Sequence, residues 1–260
     1  WMLSSYFGFP PKTITSSVHD DLLFIDRVVG CKIALADVRS SYPTANQLLA
    51  LLREIQVGGM ISSKGGVLHI HLGALPEGMD MLFQLVEQYH VDIQRLSPTH
   101  VGRTAHLFEQ AKRFAKMGGM VDLSTGGTQF VPPWEALAEA HSNGADLRHF
   151  TLSSDGNAGI GILDAQGQLT GFKKAPIDLN LWNVQQLLRE TDVPSELAFG
   201  LVTSGPARTM GLKRKGHLAQ GMDADACLFD DQWNLSGVVS HGEILMWDGD
   251  LRTQGNFPKA

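Results

Sequence analysis

Two histidines on one predicted strand are the first side chains whose type and spacing suggest metal chemistry. In the segment VLHIHL at residues 67–72, apolar and polar positions alternate, so His69 and His71 lie on the same face of the strand. Two imidazoles on one face can reach the same ion, because neutral imidazole is a common metal ligand. A strand with one ligand and one packed histidine fits the same pattern, and the pair alone leaves both interpretations open.

Three further side chains with useful chemistry fall near the ends of other predicted strands. His100 closes one apolar segment, Asp155 follows another and precedes a glycine, and Lys32 begins a third. Each one alone has an ordinary explanation, such as a loop hydrogen bond, a turn cap or a lysine that extends to solvent. Together they indicate a site, because the carboxyl ends of the strands carry the active site in a parallel barrel. Tyr6, at the end of the first predicted strand, belongs to the same set.

The elements that would position these side chains alternate between short apolar strands and amphipathic helices. The predicted strands are Trp1–Ser5, Lys32–Ala36, Val67–Leu72, Leu96–His100, Met120–Ser124 and Phe150–Ser154. The predicted helices are Ala45–Ile55, Gly78–Tyr89, Leu107–Lys116, Pro133–Ser142, Asn180–Glu190 and Ser195–Thr203. This alternation predicts an α/β fold of the (β/α)8 TIM-like barrel type, with a doubly wound open sheet as the alternative. No GxGxxG motif follows a strand, which argues against a dinucleotide site.

The pattern of apolar and turn-forming residues changes near residue 210. Residues 1–210 carry the repeats and are predicted to form a partial barrel whose first strands are absent, because the chain begins with the pattern of the middle of a strand. Residues 157–176 are rich in Gly, Asp and Gln and predict a long loop that could close over a site. In residues 211–260, short apolar segments joined by Asp/Gly turns predict a small β-sandwich appendage.

Composition limits the classes of partner. The net charge of -6 argues against nucleic acid, which needs a basic face. The two cysteines, Cys31 and Cys227, form no CxxC motif, which argues against a cysteine zinc site and fits a reducing cytoplasm. No apolar run is long enough for a transmembrane helix and no signal peptide is visible, so no membrane partner is expected.

Several segments taken together resemble the isoaspartyl (β-aspartyl) dipeptidases of the amidohydrolase superfamily. They are TIT at 13–15, DRVVGCK at 26–32, ADVRS at 36–40, HLG at 71–73, LSPTHVGR at 96–103, LFEQA at 107–111, TLSSDGN at 151–157 and GHLAQGMDADACLF at 216–229. The resemblance covers nearly the whole chain, and THVGR and SSDGN in register with Lys32 make it specific. It implies a metal-dependent hydrolase barrel that cleaves small β-aspartyl dipeptides and assembles as a homo-oligomer.

The resemblance implies a dinuclear zinc site. Lys32 would carry a CO₂-derived carbamate that bridges two Zn²⁺ ions. His71 and His100 would bind one of these ions. Asp155 would bind the other ion and transfer protons during the reaction. His69 would then be the histidine of its pair that binds no metal.

The resemblance also implies how substrate is bound. Tyr6 would lie over the scissile carbonyl and stabilise the developing oxyanion. Arg39 and Arg103 would bind the carboxylates of the substrate, because a guanidinium group can bind a carboxylate through two hydrogen bonds.

Two departures from the family pattern keep alternatives open. The HxH pair on the first strand of the superfamily has no counterpart here, so a chain of this kind could retain only one of its two zinc ions. Gly159 stands where the family has a substrate-binding serine, four residues after the aspartate. The alternatives are another amidohydrolase that cleaves cyclic amides or N-acyl amino acids, and an inactive truncated scaffold.

Overall fold

A computed structural model describes residues 1–5, 7–166 and 168–253 of the chain. Tyr6, which the sequence places at the active site, lies outside the described residues.

Six parallel strands within the described residues carry the predicted site. Four of them pair in sequential order to form one parallel sheet, and they are β1 (Met2–Ser4), β2 (Val28–Leu35), β3 (Val67–Leu72) and β4 (Leu96–Thr99). The next two, β5 (Val121–Ser124) and β6 (Phe150–Ser153), also pair in parallel. The amide of Val101 donates to the carbonyl of Asp122 at 3.2 Å, which connects the end of β4 to β5.

A helix follows each of the first five strands. The alternating pattern predicted the helices after β2, β3, β4 and β5, and it missed the helix after β1. The helices up to residue 142 are α1 (Val18–Phe24), α2 (Ala45–Ser62), α3 (Asp80–Glu87), α4 (Ala105–Lys116) and α5 (Pro133–Ser142). Short 3-10 turns at Ile93–Arg95 and Leu147–His149 precede β4 and β6. Local sequence explains where α2 begins, because Thr44 and Gln47 form a reciprocal capping box.

The segment predicted as one helix over Ser195–Thr203 forms part of a pair of shorter helices. After α6 (Leu179–Glu190), the chain forms α7 (Ser195–Gly200) and α8 (Ser204–Thr209). Pro206 accounts for the break, because it lacks the amide hydrogen that a continuous helix would need at that position. A proline is tolerated in the first turn of the new helix.

Alternation along the strands separates an apolar core from a polar barrel interior. On β3, Leu68 and Ile70 are fully buried in the hydrophobic core that the helices cover. His69 and His71 alternate with them and therefore point to the opposite face. The strands thus bury their apolar residues against the helices while they present titratable side chains to the interior.

Two predictions about individual elements were wrong. Strand β2 begins at Val28 instead of Lys32, because the preceding residues are buried and continue the apolar strand. Lys32 therefore lies in the middle of β2 and not near a strand end. The loop predicted over residues 157–176 contains an antiparallel hairpin of β7 (Gly159–Leu163) and β8 (Leu169–Lys174). Asp164 stabilises its turn by accepting hydrogen bonds from the backbone amides of Gln166 and Gln168. Gly159, Gly161 and Gly171 lie in the two strands.

The C-terminal part forms the predicted antiparallel strands. They are β9 (Ala226–Phe229), β10 (Leu235–Ser240), β11 (Glu243–Trp247) and β12 (Asp250–Leu251), and they form one four-stranded sheet. The division of the chain at residue 210 stays a prediction. Among the helices of the described residues, none has the length and apolar character needed to cross a bilayer.

Candidate active site

Strands β2 and β3 bring Lys32 beside the histidine pair. In the parallel register, Lys32 lies opposite His69, and Ala34 lies opposite His71. The rings of His69 and His71 are 5.0 Å apart between centroids, so both side chains share one face of β3 as predicted. The ring of His69 contacts the hydroxyl of Ser97 on β4 through Nδ1 at 3.1 Å. His71 is instead directed to His100.

The two predicted zinc-binding histidines are in direct contact. Nδ1 of His71 lies 2.7 Å from Nε2 of His100. His100 follows the end of β4 and has a φ of 64°, in the left-handed region. Its other nitrogen, Nδ1, bonds to the hydroxyl of Ser124 at the end of β5. Ser124 therefore orients the His100 ring and leaves Nε2 directed at His71.

Burial holds these imidazoles in the neutral form that binds metal. It lowers the pKa of His100 to about 3, with a further contribution from the positive charge of Arg103. It lowers the pKa of His71 well below its usual range, and the neighbouring His100 adds to the effect. Burial also lowers the pKa of His69, to about 4. All three rings are thus uncharged near neutral pH and offer nitrogen lone pairs.

Lys32 is a half-buried amine without a charged partner. Across residues 1–5, 7–166 and 168–253, its ammonium group makes neither a hydrogen bond nor an ion pair. It lies 5.2 Å from the centroid of the Phe7 ring. Burial lowers the pKa of Lys32, although the carboxylate of Asp155 opposes this. The amine is therefore more easily deprotonated than an exposed lysine.

Asp155, the predicted metal-binding carboxylate, follows β6. It lies two residues after β6 with a φ of 47°, a backbone conformation that aspartate adopts more readily than most residues. Within the described parts of the chain, its side-chain oxygens accept no hydrogen bond. Its negative charge acts to raise the pKa of Lys32 and of Arg39.

The two predicted substrate-binding arginines share a buried aspartate. Asp37 accepts hydrogen bonds from Nε of Arg39 at 2.9 Å and from a terminal nitrogen of the same guanidinium group at 2.7 Å. The guanidinium group of Arg103 lies 4.0 Å from Asp37. These hydrogen bonds from Arg39 hold the pKa of Asp37 at about 2. The two guanidinium groups therefore lie near one carboxylate, and their remaining nitrogens could bind an anionic group.

A second buried carboxylate lies in the strand layer that supports the site. Asp122 on β5 accepts hydrogen bonds from Thr99 at 2.6 Å, Thr151 at 2.7 Å and Ser153 at 2.5 Å. These hydroxyls come from β4 and β6, so one carboxylate connects three strands just before His100 and Asp155. Burial raises the pKa of Asp122 to about 6, although the hydroxyls oppose this.

Among the described residues, His71 contacts His100, Arg39 and Arg103 both lie at Asp37, and Lys32 lies opposite His69 in the strand register. Asp155 lies two residues after β6, and no hydrogen bond or ion pair of the described residues joins it to the other predicted site residues. Sequence reasoning missed three residues that contact them or support their strands: Ser124, Asp37 and Asp122. For Ser124 and Asp122 a signal existed, because both alternate on β5 and polar residues on a buried strand need partners inside a protein. Asp37 lies in the ADVRS segment, where only its arginine was singled out.

The donor set fits a divalent metal ion. The two neutral imidazoles are in contact, and the neighbouring strands carry an amine that burial helps to deprotonate and the carboxylate of Asp155. Nitrogen and oxygen donors of these kinds suit Zn²⁺. Among the described residues, the group whose three potential ligand atoms lie within 4.8 Å of one another is a different one, Asp223, Asp225 and His241. The ammonium group of Lys215 bonds to both of those carboxylates, so that group is already neutralised by a cation.

A cavity of about 780 Å³ lies away from this site. It opens between α7, α8 and the C-terminal sheet, and its wall is mainly apolar, with Phe199, Met210, Phe229 and Leu245 among its residues. Of the predicted metal and substrate residues that the structure describes, Lys32, Arg39, His71, His100, Arg103 and Asp155, none lines it. Its size therefore does not make it a rival for the catalytic site.

Comparison with known proteins identifies the family. The model of the amidohydrolase family matches residues 68–245, which is more than half of the chain. The chain belongs to the amidohydrolase family. Membership places it among hydrolytic enzymes that are generally metal-dependent.

Two solved amidohydrolases are close in structure to this chain. A β-aspartyl dipeptidase from Fervidobacterium islandicum AW-1, crystallised with a β-Asp-Leu dipeptide, has a TM-score of 0.89 and 35% identity over 98% of this chain. Another structure of β-aspartyl dipeptidase from that organism has a TM-score of 0.86 and 34% identity, also over 98% of this chain. The chain spans 68% and 66% of the lengths of those two chains. The predicted resemblance to this branch of the amidohydrolases is confirmed.

A more distant amidohydrolase supports the fold only. N-acetylglucosamine-6-phosphate deacetylase from Pasteurella multocida has a TM-score of 0.56 at 14% identity, over 84% of this chain and 57% of its own. Together with the closer structures, it confirms the predicted TIM-like barrel class with a C-terminal antiparallel sheet.

Proposed function

We propose that this amidohydrolase cleaves β-aspartyl dipeptides in a zinc-dependent reaction. The observation that supports the proposal is the contact between His71 and His100 after β3 and β4, with two arginines held at Asp37 after β2. Lys32, His71, His100 and Asp155 would supply the metal ligands, and Arg39 and Arg103 would add positive charge for an anionic substrate. The similarity to a structure crystallised with β-Asp-Leu supports the choice of substrate.

Lys32, His71, His100 and Asp155 would hold the metal, with Lys32 as a carbamate. Carbamate formation joins the neutral amine of Lys32 to CO₂ and releases a proton. Burial favours this reaction because it lowers the pKa of Lys32 and so increases the neutral fraction. When bound, Zn²⁺ would supply an activated water as nucleophile and would polarise the scissile carbonyl.

The chain's own residues would bind the peptide and move the proton. Arg39 and Arg103 bind substrate carboxylates, since guanidinium groups form charge-assisted hydrogen bonds with them. Asp155, whose carboxylate accepts no hydrogen bond from the described residues, takes the proton of the attacking water and gives it to the leaving amine. Tyr6 donates a hydrogen bond to the oxyanion, as the family resemblance implies. A cytoplasmic location and assembly into a homo-oligomer stay predictions.

The test is hydrolysis of β-Asp-Leu by the protein supplied with Zn²⁺ and bicarbonate, with α-Asp-Leu as the control substrate. We expect cleavage of the β isomer and little cleavage of the α isomer. Removal of the metal by a chelator should abolish the activity, and Zn²⁺ should restore it. Equal cleavage of both isomers, or cleavage of neither, would contradict the proposal.

Gly159 favours a second candidate, another amidohydrolase reaction on the same site. It begins β7, four residues after Asp155, at the position where the family resemblance implies a substrate-binding serine. A glycine there removes a hydroxyl from the substrate side, which would suit a cyclic amide or an N-acyl amino acid. Those two substrate classes belong in the same assay, and faster turnover of either one than of β-Asp-Leu would select this candidate.

A further inference from the structure

Two Asp-x-Arg segments fold into the same local arrangement at different places. In each, the aspartate accepts the backbone amide of the arginine, at 2.9 Å from Asp37 to Arg39 and at 3.0 Å from Asp146 to Arg148. In each, Nε and a terminal guanidinium nitrogen also bond to that carboxylate. The local geometry is therefore shared, and any special role of Asp37 must come from its surroundings.

The surroundings of the two aspartates differ in burial and in charge. The side chain of Asp37 is 8% exposed, whereas that of Asp146 is 41% exposed. Asp37 also faces a second arginine, Arg103, at 4.0 Å, which comes from the loop after β4. Among the described residues, Asp146 forms an ion pair with Arg148 alone. Asp37 thus connects two guanidinium groups that belong to different loops.

The backbone of Asp37 is fixed by close contact with the neighbouring strand. A Cβ atom on Gly73, just after β3, would lie 2.1 Å from the carbonyl oxygen of Ala36 and 2.4 Å from Cα of Asp37. Only glycine permits this approach. Asp37 therefore packs against the end of β3. From there it contacts Arg39 in its own loop and Arg103 in the loop after β4.

Two arginines that face one region need a nearby negative charge. Burial lowers the pKa of Arg103, and the positive charge of Arg39 lowers it further. The negative charge of Asp37 acts in the opposite direction and raises the pKa of Arg103. The side chain of Arg39 is 60% exposed and has no other ion-pair partner among the described residues. Without Asp37, the Arg39 side chain would lose its two anchoring hydrogen bonds and the two guanidinium groups would repel each other.

We propose that Asp37 is a positioning residue that holds Arg39 and Arg103 together, so that both bind one carboxylate of the substrate. The inference rests on the proposed function, because it assigns the arginines to substrate recognition. Asp37 uses Nε and one terminal nitrogen of Arg39 and leaves the rest of that guanidinium group for the substrate. It acts on binding and takes no part in proton transfer.

The test compares Asp37→Asn with the matched variant Asp146→Asn. For β-Asp-Leu, we expect Asp37→Asn to raise KM about tenfold, since hydrogen bonds to charged groups contribute substantially to binding, while kcat changes little. Asp146→Asn should leave both parameters unchanged. Asp37→Glu keeps the negative charge, so its KM should lie between those of the wild type and Asp37→Asn. If Asp37→Asn does not fold, Asp37→Glu replaces it in the comparison.

Substrate analogues show whether the effect passes through a carboxylate. In two analogues of β-Asp-Leu, one carboxylate each is replaced by an amide. The KM effect of Asp37→Asn should disappear for the analogue that lacks the carboxylate bound by the arginines and should persist for the other. An unchanged KM for β-Asp-Leu, or an equal loss of kcat with all three peptides, would overturn the role of Asp37.

A measurement without turnover separates this inference from the proposed function. If the wild-type protein cleaves no β-aspartyl peptide, the proposed function fails. The Nε–Hε NMR signals of the arginines then decide the role of Asp37. Asp37→Asn should change the signals of both Arg39 and Arg103, and Asp146→Asn should change only that of Arg148. If the Arg103 signal is the same in Asp37→Asn as in the wild type, the inference is overturned.

Discussion

Two regions of this molecule bring potential metal ligands together, and they differ in how their charge is balanced. In the barrel, the ring nitrogens of His71 and His100 meet at 2.7 Å, and Lys32 nearby has no ion-pair partner among the described residues. Beside the C-terminal sheet, Asp223 and Asp225 both contact the ammonium group of Lys215. These acidic side chains raise the pKa of Lys215 through their hydrogen bonds. Proximity of ligand atoms is therefore not enough for a metal site. In the second region, the ammonium group of Lys215 already occupies the carboxylates that would bind the ion.

The largest expected difference between the regions comes from their lysines. Lys32→Ala removes a proposed ligand, and Lys215→Ala removes an ammonium group that occupies the other cluster. We expect Lys32→Ala to lower kcat/KM for β-Asp-Leu by more than about 100-fold, since even partners outside the ligand set cost 10–100-fold when they are removed. Lys215→Ala should retain most of the activity. Steady-state rates with Zn²⁺ and bicarbonate check both, and comparable losses in the two variants would remove the distinction.

A smaller effect is expected from the serine that orients a proposed ligand. Ser124 bonds to Nδ1 of His100, and Ser97 bonds to Nδ1 of His69, the histidine without a proposed metal role. Ser124→Ala should weaken Zn²⁺ affinity by about 10–100-fold, because such partners fix the orientation and tautomer of the ligand. Ser97→Ala is the matched control and should leave the affinity unchanged. Competition with a chelating dye measures both constants, and a larger loss in Ser97→Ala would make His69 the ligand.

Much of the barrel site could be predicted because strand periodicity and strand ends are local properties of sequence. His69 and His71 share a face as their spacing indicates, and His100 and Asp155 lie just after β4 and β6. The placement of Lys32 in the middle of β2 was missed, because the apolar residues before it carry no signal for where a strand begins. Hairpin β7–β8 was missed because its glycines resemble those of a loop.

The partners of the site residues could not be predicted, since they depend on pairs far apart in sequence. Ser124 meets His100 across two strands, and Asp37 meets Arg103 across β3. Lys215 and His241 are brought to Asp225 by the fold of the C-terminal part. No spacing rule connects such residues, although each contact decides how a charged group behaves.

Two buried or paired carboxylates should give opposite pH dependence of stability. Burial raises the pKa of Asp122 to about 6, from 3.8 in the unfolded chain. Between these values the folded state binds the extra proton, so the stability from Asp122 is complete below pH about 4 and is lost as the pH rises through about 6. A difference of about two pKa units corresponds to about 3 kcal/mol. The hydrogen bond from Lys215 instead lowers the pKa of Asp225 to about 2, and its contribution is lost as the pH falls.

Denaturant unfolding of the chelator-treated protein tests this difference. The stability of Asp122→Asn relative to the wild type should increase from pH 4 to pH 8, whereas that of Asp225→Asn should show no such gain. Comparison with the wild type at each pH removes the contribution of the buried histidines, which titrate in the same range in both proteins. A relative stability of Asp122→Asn that does not vary with pH would mean that Asp122 is ionised throughout.

The smallest expected effect is on zinc binding when the second region is altered. Asp223→Asn removes one carboxylate, but Lys215 keeps its contact with Asp225, and His241 lies exposed in the turn between β10 and β11. We expect Zn²⁺ content per chain and the rate on β-Asp-Leu to equal those of the wild type in Asp223→Asn and in His241→Ala. Since the cluster already contains an ammonium group, a divalent ion would have to displace it and leave Lys215 beside another cation. A loss of bound zinc in either variant would show that the ion displaces Lys215, and the contrast between the two regions would then lie in exposure instead of charge.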